Sequence, residues 1–243
     1  MVKKSLMQKI IAIIPARQGS KQIKNKNIKK LFGKPLIYYS IAIAKKCKLI
    51  DRVIVSSDSV KIIKIAKKFG AEAPFIRPKI FANDSAKDYG VFKHCLKWLK
   101  ENENYKPDLI LHLRPTYPMR SLKILNEFIK FSLNKKNKYD SIRSVCEPSQ
   151  SPYKMWTINK KKYLNPLLEG SKREFYNMPR QSLKKVYWQT AYLDMIKYKT
   201  IVVKKSMTGK KILSYLLSSD HIFDIDDSFS FKLTEKYFNK RKN

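Results

Sequence analysis

Short apolar runs that alternate with longer stretches of helical period constrain this chain more than any other feature. Ile10 to Pro15 is an uninterrupted apolar run, and comparable runs return at Arg52–Ser56, Asp108–Leu113 and Ser141–Val145. Runs of this length without polar alternation read as strands buried on both faces. Between them, Leu36–Lys48, Val60–Phe69, Ala86–Lys100 and Leu122–Leu133 carry apolar residues on one helical face, and Gly70 stops the second of these. A short strand is also expected at Ala73–Ile76, resumed strand character at Val186–Met195, and a last helix at Ser228–Phe238. Strand-then-helix alternation means parallel pairing and a doubly wound α/β sheet, which takes its ligands at the carboxyl ends of the strands.

Three polar segments follow strands in that way, beginning at Pro15, Ser56 and Arg114. The first, Pro15-Ala16-Arg17-Gln18-Gly19-Ser20-Lys21 with Lys26 and Asn27 behind it, combines small residues with fixed positive charge. Gly19 and Ser20 let backbone N–H groups approach oxygen atoms, and Arg17 and Lys26 supply the charge that phosphate needs. The spacing fits neither the P-loop of ATPases nor the three-glycine dinucleotide fingerprint. Near the carboxyl terminus, Asp224 and Asp226 flank Ile225, and on a strand both carboxylates would share one face. Mg²⁺ takes one or two carboxylates together with waters and phosphate oxygens, so this pair is the candidate metal site. Asp227 or Ser228 would cap the final helix. His94, His112 and His221 read as packing or surface residues, with His112 a satisfied core histidine.

The loop resembles the signature of the acylneuraminate cytidylyltransferases, the CMP-sialic acid synthetases and related CMP-sugar synthetases, where Pro-Ala-Arg-x-Gly-Ser-Lys is soon followed by Lys-x-Asn. The likeness continues through Gly33-Lys34-Pro35-Leu36, Val55-Ser56-Ser57-Asp58, Arg77-Pro78, Asn83-Asp84-Ser85-Ala86, Arg114-Pro115-Thr116-Tyr117-Pro118-Met119-Arg120, Pro179-Arg180-Gln181 and Phe223-Asp224-Ile225-Asp226. These blocks occur in the family's order over nearly the whole chain. The resemblance implies a Rossmann-like, mostly parallel sheet of the nucleotide-diphospho-sugar transferase type. It implies a Mg²⁺-dependent transfer of CMP from CTP to an acidic sugar, for surface glycan biosynthesis. It implies that Ala16, Arg17, Ser20, Lys26, Asn27, Arg77 and Ala86 bind the nucleotide, with Arg77 and the backbone near Ala86 reading cytosine. Arg114, Arg180 and Gln181 would face the sugar, and Arg17, Lys26, Asp224 and Asp226 would carry the chemistry.

Two departures bear on the sugar. The family usually carries Gln where this chain has Arg114, and Asn-Gly-Ala-Ile-Tyr where it has Thr190-Ala191-Tyr192-Leu193-Asp194. An arginine adds a fixed charge and a planar donor fork. The resemblance therefore leaves N-acetylneuraminate, another nonulosonic acid and an octulosonate all open, and a GTP- or UTP-using relative stands as an alternative.

From Glu147 to Lys185, Pro148, Pro152, Pro166 and Pro179 punctuate a stretch holding Tyr153, Trp156, Tyr163, Phe175 and Tyr176. It is too apolar for a linker and too interrupted for a helix. Within a single domain spanning 1–243, this segment reads as an inserted arm at 147–185. The resemblance implies that it pairs two subunits and covers the partner's site, making a homodimer. The net charge of +34 raises the contrasting class of a basic nucleic-acid-binding protein. The excess is spread along the chain with no recognition motif, so it reads as a solvated basic surface that steers anions, with no specific nucleic acid partner. The three cysteines are scattered and match neither a disulfide framework nor a zinc site. No run approaches a bilayer span and Met1–Lys9 lacks a signal-peptide core, so the expectation is a cytoplasmic protein without membrane insertion.

Overall fold

The computed structural model describes residues 8–135, 138–170, 173–218 and 224–240. His221, Phe223 and residues 1–7 lie outside these. In chain order the strands are β1 (Ile10–Pro15), β2 (Lys30–Leu31), β3 (Lys34–Pro35), β4 (Arg52–Ser56), β5 (Leu109–His112), β6 (Ser141–Cys146), β7 (Trp156–Ile158), β8 (Leu164–Pro166), β9 (Trp188–Lys197) and β10 (Ile212–Leu216). The helices are α1 (Leu36–Lys46), α2 (Val60–Lys68), α3 (Asp88–Glu103), α4 (Leu122–Asn134), α5 (Tyr198–Val202) and α6 (Ser228–Lys240).

A six-stranded sheet of order β10-β6-β9-β5-β1-β4 forms the centre. Its pairs are parallel except where β9 inserts antiparallel between β5 and β6. Alternate residues of each strand feed opposite faces. Ile10, Ala12 and Ile14 of β1, with Val53 and Val55 of β4 and Leu109 and Leu111 of β5, pack against α1, α2 and α4. Ile11, Ile13, Ile54 and Ile110 face the other way, onto Val91, Phe92, Cys95, Leu96 and Leu99 of α3 and Ile201 of α5. Two covered faces explain the unbroken apolar runs. The result is the mostly parallel, doubly wound α/β sheet that the alternation predicts.

The structure differs from expectation in three places. Ala73–Ile76 is not a strand: only Glu72 bridges to Ile54, and Pro74 removes a donor a ladder would need. Strand alternation alone missed the antiparallel direction of β9 and the edge strand β10, because both lie beyond the arm, where the regular repeat has ended. The Asp224–Asp226 segment is irregular rather than a strand, pinned by Ile225 N–H donating to Thr116 O at 3.0 Å. Ile225 nevertheless packs with Ile23, Leu31, Leu36 and Phe231 in a small separate cluster.

Between β6 and β9 the chain leaves the sheet. The β7–β8 hairpin is antiparallel, and its strands expose Trp156, Ile158 and Leu164. Phe175 is the buried anchor of this segment, with the Tyr153 ring at 6.0 Å and the Tyr176 ring at 5.4 Å. The three cysteines are free and buried. Among the described residues no helix is long and apolar enough to cross a membrane.

Candidate active site

The carboxyl ends of β1 and β5 open into a cavity of about 300 Å³ whose walls include Arg17, Ser20, Lys26, Asn27, Arg77 and Ala86. Arg114, Thr116, Asp84, Asp88, Phe81 and His112 complete much of the remaining wall. Seven of the residues expected at the site thus meet in one place. They come from segments as distant in sequence as 17 and 114 because parallel strands deliver all their carboxyl ends to one sheet edge.

Ala16 does not line the cavity. It is buried beneath it, and its N–H donates to Ser56 O at 3.0 Å, tying the first loop to the end of β4. The Gln18 N–H donates to Asp58 Oδ1 at 3.0 Å, and Asn27 Nδ2 donates to Arg17 O at 2.9 Å. Gly19 has no left-handed φ, and nothing lies within 4 Å of where a Cβ would stand. The protein fold alone thus makes no demand for glycine at 19.

Arg17 Nη1 donates to Asp84 Oδ1 at 2.8 Å, and Lys21 Nζ meets Asp84 Oδ2 at the same distance. Those two cations hold the Asp84 carboxyl below its usual range. Across the cavity Arg77 is 3% exposed, and its Nε and Nη2 atoms have no hydrogen-bond partner. Asp58 stands 3.6 Å from Arg77 Nη2. Burial pushes the Arg77 guanidinium down against the pull of Asp58, so a buried donor fork is aimed at the cavity wall with bonds still to make.

Lys26 bridges the first loop to the carboxyl-terminal segment. Its Nζ donates to Ile225 O at 2.9 Å and stands 3.7 Å from Asp226 Oδ1. Burial, and then the neighbouring Asp226 charge, push the Asp224 carboxyl up against a hydrogen bond from Thr116. Asp224 Oδ1 is buried without a hydrogen-bond partner, whereas the Asp226 side chain is exposed. Among the described residues no group of three or more His, Cys, Asp and Glu side chains gathers. A carboxylate pair with one orphaned oxygen fits Mg²⁺, which fills the rest of its shell with water and phosphate oxygens. Asp227 does cap α6, its Oδ1 accepting from the Ser230 N–H at 2.7 Å.

Arg114 is held on both sides. Its Nη1 donates to Asp194 Oδ2 at 2.9 Å, and its Nη2 stands 3.4 Å from Asp88 Oδ2. Beneath it, Arg120 is buried and fixes the loop after β5 by donating to the backbone oxygens of Arg114, Tyr117 and Tyr192. Where β9 bulges against β6, Ala191 takes a left-handed φ of 55°. This is the position where the resembled signature carries Gly, so the left-handed turn is kept at a cost of about 1–2 kcal/mol for an L side chain.

Arg180 and Gln181 are not brought to this cavity. They line a separate one of about 340 Å³ at the base of the arm, with Glu147, Pro148 and Lys185, and Arg180 donates to the Pro148 and Ser149 carbonyls. Reading the sequence gave no site role to Asp84, Asp58, Asp88, Thr116 or Phe81. Asp58, Asp84 and Thr116 sat inside the recognised blocks, but no residue pattern told that Asp84 would pair with Arg17. His112 is buried as expected yet not satisfied, because its Nε2 has no partner.

The family model for Cytidylyltransferase matches residues 11–156. A Campylobacter coli protein named post-translational flagellin modification protein B is 31% identical, over 98% of this chain and 97% of its own. An Escherichia coli N-acylneuraminate cytidylyltransferase is 30% identical over 93% of this chain, which spans 51% of that longer relative. Among solved structures, a CMP:2-keto-3-deoxy-manno-octonic acid synthetase complexed with CTP superposes with a TM-score of 0.69 at 14% identity, over 96% of this chain and 100% of that one. At that identity the likeness is one of fold.

Proposed function

Because this chain belongs to the cytidylyltransferase family, we propose that it transfers CMP from CTP to an acidic sugar of the nonulosonic-acid class, releasing pyrophosphate, as a cytoplasmic homodimer. The observation that carries this reading is the convergence of Arg17, Lys26, Arg77 and Arg114 on one cavity, with the Asp224–Asp226 segment fastened to it through Lys26.

The triphosphate lies along the loop from Pro15 to Asn27, where Arg17 and Lys26 neutralise its charge and Ser20 and Asn27 hold oxygens. The unsatisfied Arg77 fork and the backbone near Ala86 take the polar edge of the base. The sugar sits toward Arg114, and its anomeric hydroxyl attacks the α-phosphorus as the bond to pyrophosphate breaks, with one proton released. Positioning and charge stabilisation supply the rate, and no covalent enzyme intermediate is needed. Asp224 and Asp226 would hold Mg²⁺, which supplies Lewis-acid neutralisation of phosphate charge when bound.

The arm at 147–185, a segment inserted into one catalytic domain, supports the dimer. It exposes Met155, Trp156, Ile158, Tyr163, Leu164 and Leu167. Apolar residues concentrated in that way on an otherwise highly charged surface mark an interface. Arg180 and Gln181, at the base of the arm, are then the residues that reach a sugar when two subunits pair.

The test is pyrophosphate release with Mg²⁺, CTP and a panel of nonulosonic and octulosonic acids, with GTP and UTP alongside and Asp226→Ala as control. Turnover with CTP and one acidic sugar, abolished in the control, is the expected result. Pyrophosphate release that needs no acidic sugar, or turnover that survives loss of the carboxylate, would overturn the assignment.

A further inference from the structure

One row of the central sheet breaks its apolar pattern. On the α3 face the paired positions run from Ile54 in β4 to Ile13 in β1, His112 in β5, Asp194 in β9 and Arg143 in β6. Directly paired residues stand side by side on one face of a sheet. The first two members are core isoleucines, and the next three are polar or charged.

The polar members are deeply placed. The His112 and Asp194 side chains are 1% and 4% exposed. His112 lines the cavity, and its ring packs edge-on to Phe92 with centroids 4.6 Å apart. His112 Nε2 and Asp194 Oδ1 have no hydrogen-bond partner. Arg143 Nε is 3.7 Å from Asp194 Oδ1, beyond hydrogen-bond range, while Arg143 Nη1 donates to Gln189 Oε1 at 2.5 Å. A buried polar atom without a partner is costly, so the orphaned His112 Nε2 in the cavity wall, with the orphaned Asp194 Oδ1 on the adjacent strand behind it, calls for a ligand.

The surroundings also set which way the hydrogen bonds run. The Asp88 carboxylate, with Oδ2 3.9 Å from His112 Nδ1, favours by its charge the tautomer that carries the ring proton on Nδ1, in which Nε2 is a lone-pair acceptor. Burial first, and then the positive charge of Arg114, Arg120 and Arg143, keep the imidazole neutral. Asp194 Oδ2 is already taken by Arg114, so the free oxygen is Oδ1. Both orphan atoms are therefore acceptors.

We propose that the His112–Asp194 pair is a specificity-determining element that accepts hydrogen bonds from N–H or O–H donors of the acidic sugar. The assignment rests on the sugar-activating reaction proposed above. A site built to accept from a substrate donor rejects analogues that lack it far more strongly than an apolar wall does. Arg114, Arg143 and Asp88 act behind the pair as positioning residues.

The experiment is steady-state pyrophosphate release by the full chain with CTP. N-acetylneuraminate, which carries an acylamino N–H, and 3-deoxy-octulosonate, which offers hydroxyls alone, serve as probes. His112→Leu is expected to raise the KM for the preferred sugar by roughly 10- to 100-fold, with the KM for CTP within about twofold of wild type. His112→Gln, whose amide oxygen can stand where Nε2 does, is expected to recover most of that loss. A preference for N-acetylneuraminate that collapses in His112→Leu identifies the acylamino donor, and an equal loss with both sugars identifies a hydroxyl. If the Leu variant fails to fold, judged by melting and nucleotide titration, Asp194→Asn carries the same test. An unchanged sugar KM in a folded variant, or equal losses for CTP and sugar, would overturn the proposal while leaving the reaction intact. Silence of the wild-type enzyme toward every acidic sugar would instead overturn the reaction and this assignment with it.

Discussion

Replacing Arg120 by methionine tests whether one buried guanidinium holds the sugar side of the site together. Arg120 donates from Nε to Tyr192 O at 2.8 Å, from Nη1 to Tyr117 O at 2.7 Å and Ser40 Oγ at 3.0 Å, and from Nη2 to Arg114 O at 2.9 Å. These partners belong to β9, the loop after β5 and α1, so a single side chain ties three elements. Burial pushes its guanidinium down to about 10, which still leaves it charged at neutral pH. Methionine roughly matches the volume but donates nothing, so the Tyr117 and Tyr192 carbonyls lose this donor, while the Ser40 hydroxyl and the Arg114 carbonyl keep their own hydrogen bond at 3.1 Å. Each orphaned buried acceptor costs about 1–3 kcal/mol, and relief of the guanidinium's own desolvation offsets part of the sum. With two carbonyls losing this donor and that offset counted, the net expectation is about 2–4 kcal/mol. For a chain of this size that lowers the melting temperature by about 4–16 °C. Urea unfolding followed by circular dichroism gives the free energy, and the slope should stay unchanged. Arg120→Lys keeps the charge, but one ammonium cannot reach acceptors spread around a planar fork, so it should recover only a minor part. A loss below about 1 kcal/mol in Arg120→Met, or a lysine variant as stable as wild type, would refute the account.

Two further outcomes follow from named contacts. Asp84→Ala frees Arg17 and Lys21 from a carboxylate that occupies their donors, so CTP affinity by calorimetric titration should tighten by about two- to fivefold at low salt, the gain shrinking as salt screens it. Weaker binding in that variant would show instead that Asp84 orients Arg17 for the nucleotide. Asp140 accepts from Lys204 Nζ at 2.5 Å and from the Lys210 and Lys211 N–H groups at 3.0 and 3.1 Å, which hold its carboxyl below the usual range. A depressed carboxyl contributes stability that is complete above the unfolded value near pH 4 and is lost as pH falls through the folded one. Asp140→Asn should therefore be less stable than wild type at pH 7, with the gap closing below about pH 4; a gap independent of pH would exclude the ionised carboxylate as its source.

Much of the fold was legible because buried parallel strands leave a plain mark. β1, β4 and β5 are largely apolar runs, and helices such as α1, α2 and α4 carry their apolar face at helical spacing. The arm was visible from its prolines and aromatics, although its hairpin was not. Expected strand Ala73–Ile76 failed because Pro74 removes a donor from its middle, a rule available in the sequence and outweighed by apolar content. The direction of β9 was not legible, since a strand that follows a long excursion can re-enter a sheet either way.

At the site, sequence alone determined the chemistry on offer. Arg17, Lys26 and the Asp224–Asp226 pair were recognisable from residue type and spacing, because phosphate and metal demand fixed charges beside small residues, whereas Arg77 and Arg114 entered through the family resemblance. Tertiary structure decided what each group is paired with. It set Asp84 on Arg17, Lys26 on the carbonyl of Ile225, and Asp194 on Arg114, and it kept Arg180 and Gln181 at the base of the arm. It also left His112 Nε2, on a residue that reads as an ordinary core histidine, without a partner, and set Asp194 beside it through the register of β9 against β5. Pairing between groups far apart in sequence depends on strand order and register, which are properties of the packed sheet, and no local pattern of residues encodes them.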